Sequence, residues 1–317
     1  MKAVAMGVHV LDVLVRPVEE IPEGQGGSLV EEIRITAAGS AGGTALILAK
    51  LGADVLSAGA IGADPLADML LALLERDGVN TSMLVRRTGV QTSASVLPIR
   101  PDGSRPAFHV VGANSTYGPD DVDWKAIEGA AHLHLGGPEF MGGEAAAEIL
   151  GRAREAGVVT SADVLAPGDM GILEWIAPVL PHLDFLLPND EQAIGFTGAP
   201  GVEEACLALL EHGVGCVAAT CGADGVVVVD AGGVERVPAF AVEVVDTTGC
   251  GDAFSAGFLR GLALGRDRRA AAELGCATAA LVAQGLGTDY GDFGLDDVVE
   301  LASNGERLPV ADRGRID

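Results

Sequence analysis

The chain has 317 residues, 49% of them hydrophobic, and its 45 acidic and 20 basic side chains give a net charge of −25. That charge argues against nucleic acid or an anionic membrane surface as a partner. No apolar run is long enough to span a membrane, and the five cysteines show no Cys-x-x-Cys spacing. We therefore expect reduced thiols, no membrane association and a cytoplasmic location.

The predicted elements alternate between short apolar strands and helices. A strand over 2–7 is followed by alternating apolar residues over 28–35, which is typical of exposed antiparallel strands. A helix of small residues over 41–51 comes next. Strands and helices then alternate over 55–60, 65–77, 131–135, 144–156, 158–162, 185–187, 203–212 and 216–220. This alternation predicts βα units and a mainly parallel sheet.

Two further features complete the predicted architecture. Strands over 92–97 and 107–111 are expected to join the early ones in a small β-strand lid, formed by roughly 12–36 and 91–112. Helices close the chain over 251–264, 268–284 and 296–303, and 313–317 should be a frayed tail. The sequence thus predicts an α/β protein, a three-layer α/β/α domain over 1–317 with a mainly parallel central sheet and the lid.

The run Asp246-Thr-Thr-Gly-Cys-Gly-Asp252-Ala-Phe254 carries most of the functional information. Gly249 and Gly251 allow a tight turn, and the free amides at the start of the following helix favour an anion. A carboxylate beside an anion site would repel the anion. Asp252 is therefore best explained as a group that takes a proton from an attacking hydroxyl while the amides hold a phosphoryl group. The structural alternative is that Asp252 only caps the helix.

This run resembles the C-terminal signature of the ribokinase-like (PfkB) family of carbohydrate and nucleoside kinases. The resemblance implies a ribokinase-like fold, Asp252 as the catalytic base, and the amides of Gly249, Cys250 and Gly251 as the anion hole. The chain has neither Gly-x-x-x-x-Gly-Lys nor Gly-x-Gly-x-x-Gly, so backbone amides have to hold the phosphates. A helix N-terminus lowers thiol pKa values, which would make Cys250 reactive. A position that needs only a small residue is the simpler explanation of this cysteine.

Two early motifs suggest how the acceptor is held. Gly7-Val-His-Val-Leu-Asp12 resembles the family's Gly-x-x-x-x-Asp, whose Asp binds sugar hydroxyls, and a carboxylate can accept two such hydrogen bonds. Residues 38–52 resemble the N-terminal signature, in which Gly39 and Gly42 would let the backbone approach a ligand. Gly43 stands where the family has Asn. Its missing side chain is expected to leave space, so ribose and fructose should be poorer acceptors than a bulkier molecule.

Four other side chains are candidates of lower specificity. Arg105 and Asn114 lie in Gly-Ser-Arg and Gly-Ala-Asn stretches that resemble the substrate-proximal part of the family pattern, although an exposed Arg is often only solvated. His132 and His134 share one face of a predicted strand. Because no Cys or acid lies at a useful spacing nearby, a structural or hydroxyl-binding role is favoured over a metal site.

The resemblance also implies a nucleotide and metals. Pro188-Asn-Asp-Glu-Gln192 falls where the family has Asn-x-x-Glu, whose Glu organises the waters around Mg²⁺. Gln192 keeps the hydrogen bonding but lacks the charge, for which Asp190 and Glu191 are alternatives. Asp246 resembles a monovalent-cation site of part of the family, so K⁺ is a further option beside ATP and Mg²⁺. The implied ATP-binding residues are Asn189, Thr220, Gly222, Gly225 and Ala277.

Together these residues predict an ATP-dependent kinase that phosphorylates a hydroxyl of a sugar or sugar-like small molecule. The low aromatic content, 4%, favours a sugar over a nucleoside. One alternative is a nucleoside or vitamin-type alcohol kinase of the same fold. Another is a non-catalytic ligand sensor, which is suggested by the departures from the family pattern at Gly43 and Gln192. The exposed lid could also pair with a second copy in a homodimer.

Overall fold

A nine-stranded sheet forms the centre of the computed structural model, which describes residues 1–101, 103–166 and 172–309. The predicted tail over 313–317 lies outside these residues. Numbered in chain order, the strands are β1 (Lys2–Gly7), β4 (Asp54–Gly62), β5 (Asn80–Arg87), β8 (His132–Gly136), β9 (Val159–Asp163), β10 (Phe185–Leu186), β11 (Cys216–Thr220), β12 (Val226–Asp230) and β13 (Gly233–Val237). Their order in space is β13-β12-β11-β10-β9-β8-β1-β4-β5. All neighbours from β5 to β11 are parallel, and β12 and β13 add an antiparallel edge.

Helices cover both faces of this sheet. Along β1, Ala3 and Ala5 contribute to one core, whereas Val4 and Met6 contribute to the other, as expected of a parallel strand that is buried on both sides. The first core is covered by α1 (Ser40–Lys50), α2 (Pro65–Arg76), α8 (Cys250–Ala263), α9 (Arg268–Val282) and α10 (Leu295–Asn304). The second is covered by α3 (Trp124–Glu128), α5 (Gly143–Glu155), α6 (Asp190–Thr197) and α7 (Val202–Glu211), and the short α4 (Pro138–Met141) follows β8.

A separate four-stranded sheet forms the lid. Its strands are β2 (Val10–Arg16), β3 (Glu32–Ala38), β6 (Ala94–Pro98) and β7 (Phe108–Val110), in the order β3-β2-β6-β7. Asp12, Ser95 and His109 are in register across three strands. The next row, one residue along, holds Ile35 and Phe108 with other apolar residues between them. Because side chains alternate along a strand, the lid has a polar row on one face and an apolar row on the other.

The predicted fold class is confirmed, with differences at individual elements. The alternating stretch predicted over 28–35 becomes a strand only from Glu32, because residues 21–30 form turns and irregular chain. Strand β5 and the β12–β13 hairpin were not predicted. In β12, four consecutive valines obscure the alternation by which half-buried strands are recognised.

Among the described residues, no single helix is long and apolar enough to cross a membrane. Helices α6 and α7 together meet that test of length and composition as a bent pair. Phe196 and Leu209 of this pair are buried in the second core, whereas Leu207 is exposed.

Candidate active site

Two adjoining cavities lie at the carboxyl ends of the parallel strands, where ligands of open α/β sheets are usually bound. The polar cavity, about 280 Å³, is lined by Asp12, Gly39, Ser40, Arg105, Asp163, Asn189, Gln192, Thr248, Gly249, Asp252 and Thr288, among others. The apolar slot, about 380 Å³, is lined chiefly by Phe240, Val242, Val244, Cys250, Phe254, Cys276, Ala279, Ala280, Ala283 and Leu308. The two cavities share Thr220, Thr247 and Gly251. A molecule with an apolar and a polar end could therefore extend from the slot into the cavity.

The border between the cavities is a tight turn that leads into α8. The Cys250 amide donates to the Thr247 carbonyl at 3.2 Å, and Gly249 has φ 77° and ψ 1°, values typical of the third residue of a type II turn. A Cβ at Gly249 would also lie 2.7 Å from Thr288 Cα. Glycine is thus required at 249 by both conformation and space. At Gly251 an added Cβ meets nothing within 4 Å, so a ligand can approach this amide.

The anion hole expected from Gly249, Cys250 and Gly251 needs one correction. Gly249 and Gly251 line the polar cavity. The Cys250 amide is engaged within the turn, and its side chain lines the apolar slot instead. The alternative of a reactive thiol is also wrong, because burial raises the pKa of Cys250 to about 12 despite its place at a helix start.

Asp252 lies in the first turn of α8 and borders the polar cavity. Burial raises its pKa well above the usual value for Asp, and the nearby carboxylates of Asp163 and Asp12 raise it further. Arg105 acts in the opposite direction. A carboxylate with a raised pKa binds a proton more strongly, which suits a general base.

Four buried oxygen atoms around the polar cavity have no hydrogen-bond partner among the described residues. They are Asp12 Oδ1, Ser40 Oγ, Asp163 Oδ1 and Thr288 Oγ1. Buried polar atoms are almost always hydrogen-bonded in folded proteins. Their convergence on one cavity therefore indicates a ligand rich in hydroxyl groups or a cation.

Asp12 and Arg105 lie in the polar cavity, as expected of acceptor-binding residues. Burial raises the pKa of Asp12 to about 6, while a hydrogen bond from Ser95 and the charge of Arg105 partly offset this. Arg105 Nη1 donates to Thr248 Oγ1 at 2.6 Å. The segment that carries Arg105 is thereby tied to the turn at the cavity border.

Asn114 and Gly42 have other roles than those expected. The Asn114 side chain accepts from the His9 amide at 3.1 Å and donates to the His9 carbonyl at 3.0 Å. It therefore braces the segment between β1 and Asp12 from outside the cavity. A Cβ at Gly42 would lie 3.3 Å from the His9 ring, so this glycine serves the packing of α1 against His9.

The space expected at Gly43 does not exist. A Cβ at this position would overlap the Asp252 carboxylate and lie 2.7 Å from its Cγ. The volume that an Asn side chain would fill is already occupied by Asp252. The expectation of a larger acceptor therefore loses the structural basis on which it rested.

Gln192 lies at the cavity wall in an ordinary capping box. Its Oε1 accepts from the Asn189 amide at 2.9 Å, and the Asn189 side chain accepts from the Gln192 amide at 2.7 Å. Its Nε2 donates to the Val164 carbonyl at 2.9 Å. Both ends of the Gln192 amide thus hold α6 in place, which leaves little capacity for the metal waters that the resemblance assigns to it.

Asp163 is the acid that the sequence analysis missed. It ends β9 and points an unpartnered oxygen toward the polar cavity. Its other oxygen lies 3.6 Å from His134 Nε2, and His134 and His132 each lie 2.8 Å from Ser161 Oγ. The two histidines are therefore structural, as favoured. The position of Asp163 at the carboxyl end of a parallel strand was the available signal.

Ser40 and Thr288 were missed for different reasons. Ser40 lies within residues 38–52, which resemble the N-terminal signature, so its hydroxyl could have been proposed as a ligand-binding group from the sequence. Thr288 belongs to no motif and reaches the cavity only because Gly249 packs against it.

Four of the five residues expected to bind the nucleotide line the two cavities. Thr220, Gly222 and Gly225 line the apolar slot, and Asn189 lines the polar cavity. Ala277 is fully buried away from both. On α9 the slot is lined by Cys276, Ala279, Ala280 and Ala283, which share a helix face, whereas a neighbour one residue along points about 100° away.

Asp246 is part of the loop framework. One carboxylate oxygen accepts from the Thr248 amide at 3.1 Å and from its hydroxyl at 2.9 Å, and the other accepts from the Gly287 amide at 3.1 Å. Asp246 thus fixes the turn relative to the segment that carries Thr288. Within the described residues, no group of three or more His, Cys, Asp or Glu side chains is arranged to hold a metal.

Comparison with known proteins shows which family and which relatives this chain resembles. The sequence pattern of the pfkB family carbohydrate kinases matches residues 3–292. An ATP-dependent ribose-1-phosphate kinase of Halopiger xanaduensis is 31% identical, over 86% of this chain and 88% of the relative.

Solved structures agree in fold. A ribokinase of Thermotoga maritima superposes with a TM-score of 0.79 at 22% identity and covers 96% of this chain and 99% of its own. A ribokinase of Arabidopsis thaliana, in complex with ribose and ATP, gives 0.80 at 22% identity and covers 95% and 98%. The predicted ribokinase-like fold is confirmed, as is, at the level of the family, the prediction of an ATP-dependent phosphotransferase. The family pattern matches nearly the whole chain, and a relative within the family's range of activities is 31% identical over 86% of it. This chain therefore belongs to the pfkB family of carbohydrate kinases.

Proposed function

We propose that this kinase transfers the γ-phosphoryl group of ATP to a hydroxyl of a small sugar or sugar-like molecule bound in the polar cavity. The observation that carries the proposal is the convergence of unpartnered buried oxygens on a cavity that also contains Asp252 and the glycine turn. A polyol satisfies such oxygens with its hydroxyl groups.

The chain's own residues divide the chemistry between them. Asp12 and Ser40 orient the acceptor, and Asp252 takes the proton of the attacking hydroxyl. The amides of Gly249 and Gly251 stabilise the charge that develops on the transferred group. Arg105 adds a positive charge near the carboxylates of Asp12 and Asp252. Transfer then leaves a protonated Asp252, a phosphorylated acceptor and ADP.

The residues present fit ATP and a divalent cation. The apolar slot suits a planar base, and the open space at Gly251 lies where the phosphates would pass into the polar cavity. Mg²⁺ prefers oxygen ligands and keeps several waters, and Asp163 offers a buried carboxylate oxygen with no other partner. Asp163 would therefore hold the hydrated ion, whose charge would neutralise the phosphates. The engaged carboxylate of Asp246 gives no similar support for K⁺.

The acceptor is of about pentose size. The polar cavity, at about 280 Å³, is just below the usual range for small-molecule sites, about 300–1,000 Å³. A nucleoside or a larger alcohol would compete with the donor for the apolar slot. The ribose-1-phosphate kinase among the relatives makes a pentose phosphate the first compound to test.

An acceptor panel tests this proposal. ADP release is measured with ribose, deoxyribose, ribose 1-phosphate, fructose, adenosine and a vitamin-type alcohol, each with ATP and Mg²⁺. We expect turnover with at least one pentose or pentose phosphate. Preference for adenosine or the vitamin would replace the proposed acceptor class, and binding without turnover for every compound would support a ligand sensor.

We further propose that two copies pair through the outer face of the lid. Ile33 and Phe108 on this face are 64% and 61% exposed, and the row between Ile35 and Phe108 bears no charge. In a chain of net charge −25, an uncharged face is where two copies approach with least repulsion. Phe108→Glu should convert a dimer to a monomer in light scattering, and a monomeric wild type would contradict the pairing.

A cytoplasmic location is the proposal that best suits the thiols. All five cysteines are free, and Cys206, Cys216 and Cys276 are buried. Reduced buried thiols are typical of proteins in a reducing compartment. Fractionation of the native host would test this.

A further inference from the structure

Gly43 and Asp252 come from different helices and meet at the polar cavity. Gly43 lies in the first turn of α1, and Asp252 lies in the first turn of α8. An added Cβ at Gly43 would overlap Asp252 Oδ2 and lie 2.7 Å from Cγ and 3.0 Å from Cβ. Separations this short exclude any side chain at position 43 while Asp252 keeps its place.

Neither helix can move to relieve such an overlap. The amides of Ala41 and Gly42 donate to the Val8 carbonyl at 3.0 and 3.2 Å, which fixes the start of α1 on the chain just after β1. A Cβ at Gly136 would lie 2.6 Å from the Ser40 carbonyl carbon, so α1 already lies as close to the sheet as it can.

The α8 side is equally fixed. This helix begins at the turn that Asp246 and Thr288 hold, and Phe254 and Phe258, one and two turns further, are buried in the first core. With both backbones held, the carboxylate of Asp252 is the part that would be displaced.

On the basis of the proposed kinase function, we propose that Gly43 is a positioning residue for the catalytic base. Its missing side chain forms a seat, defined by the Cα of Gly43 and the α1 backbone beside it, against which the Asp252 carboxylate rests. A side chain at 43 would push the carboxylate into the polar cavity, into the space that the acceptor hydroxyl needs.

The seat also bears on acceptor choice. Because Asp252 fills the volume beside Gly43, the acceptor has to use the rest of the polar cavity, which Asp12, Ser40 and Asp163 also line. Gly43→Asn introduces the side chain of the family pattern. We therefore expect it to lower activity toward every acceptor, ribose included.

A double-mutant cycle tests the seat through stability as well as activity. The four proteins are the wild type, Gly43→Ala, Asp252→Ala and the double variant, each full length. In the wild-type background, Gly43→Ala should lower Tm by at least about 3 °C because of the overlap. In the Asp252→Ala background the carboxylate atoms are gone. The same change should then lower Tm clearly less than in the wild-type background, because only the 3.0 Å approach to the Cβ of residue 252 remains and Ala favours a helix over Gly.

Activity supplies the second measurement. Gly43→Ala should lower kcat about a hundredfold, because a displacement near 1 Å of a reacting group can cost that much, while the affinity for a fluorescent ATP analogue stays within about twofold of the wild type. Equal Tm shifts in both backgrounds, or a kcat within about twofold of the wild type, would overturn the seat. If Gly43→Ala does not fold, folding of the double variant supports the seat, and failure of the double variant as well overturns it. If the Tm shifts differ between the two backgrounds as expected but the wild type phosphorylates no acceptor, the seat stands and the kinase proposal is refuted.

Discussion

The polar cavity and the apolar slot lie side by side and share a glycine turn, yet they are built on opposite principles. The polar cavity gathers three carboxylates, of which Asp12 and Asp252 have raised pKa values. The slot is lined mainly by small apolar side chains of α8, α9 and the segment after β13. The first site keeps charged groups in an environment that disfavours charge, whereas the second gains only from burial of apolar surface.

This difference affects stability in opposite directions. An Asp whose folded-state pKa is raised binds its proton more tightly when folded, so stability falls as pH rises through the window between the unfolded and the folded pKa. At neutral pH Asp12 and Asp252 therefore cost stability, which the proposed catalytic role would explain, while the slot adds to the core. Substitutions in the polar cavity should lower kcat more than they lower Tm, and those in the slot should lower the affinity for the donor.

The largest expected effect follows from removal of the base. Asp252→Asn keeps the size and the helix-start position but cannot take a proton, so kcat should fall at least about a hundredfold. Tm at pH 7 should stay or rise, because the buried charge is gone. ATP affinity should hold or tighten. The N-cap of α8 is Gly249, with no side-chain cap hydrogen bond, so Asp252 has no capping role to lose. Steady-state kinetics, donor titration and melting on this one variant test the contrast, and an unchanged kcat would show that Asp252 is not the base.

The next effect concerns the metal. Asp163→Asn removes the one unpartnered carboxylate oxygen beside Gln192, so the Mg²⁺ concentration for half-maximal rate should rise about tenfold to a hundredfold. Asp120→Asn, the same change at an exposed position, is the control. If the Mg²⁺ requirement of Asp163→Asn matches the wild type, another acid such as Asp190 or Glu191 supplies the charge.

A third substitution tests the slot. Ala280→Leu adds three carbon atoms to the slot wall, so the Kd for ATP should rise at least about fivefold, given that overpacking costs about 1–3 kcal/mol. The acceptor KM should stay constant. Ala263→Leu, at the exposed end of α8, provides a control with the same added volume. A change in acceptor KM alone would mean that the slot does not hold the donor.

The smallest effect is a pH dependence of acceptor binding. Because the pKa of Asp12 is raised to about 6, the ionised fraction that accepts hydroxyl hydrogen bonds drops about fourfold between pH 7 and pH 5.5. The acceptor KM should rise by a similar factor as pH falls, with the donor KM steady. Asp12→Asn should remove this dependence. A KM independent of pH in the wild type would place the acceptor away from Asp12.

The sequence alone determined the fold class and the position of the glycine turn at 246–252. Strand and helix alternation is a property of local hydrophobic pattern, and the glycine turn has conformational requirements that few other residues can meet. Asp12, Arg105 and the loop at Thr220 were also placed near the site, because their motifs follow strand ends.

Only the tertiary structure decided how much space, and which unpaired polar atoms, the packed side chains leave at the site. Gly43 was interpreted as added space, but the Asp252 carboxylate occupies that volume, because the space at one residue depends on a side chain about 200 positions away. Asn114, Gln192 and Asp246 bear suitable chemistry, but their polar atoms are engaged by His9, by Asn189 and Val164, and by Thr248 and Gly287. Asp163, Ser40 and Thr288 lie at the site with oxygens that no other described group uses. Hydrogen-bond satisfaction and packing are sums over contacts distant in sequence, and a linear motif does not contain them.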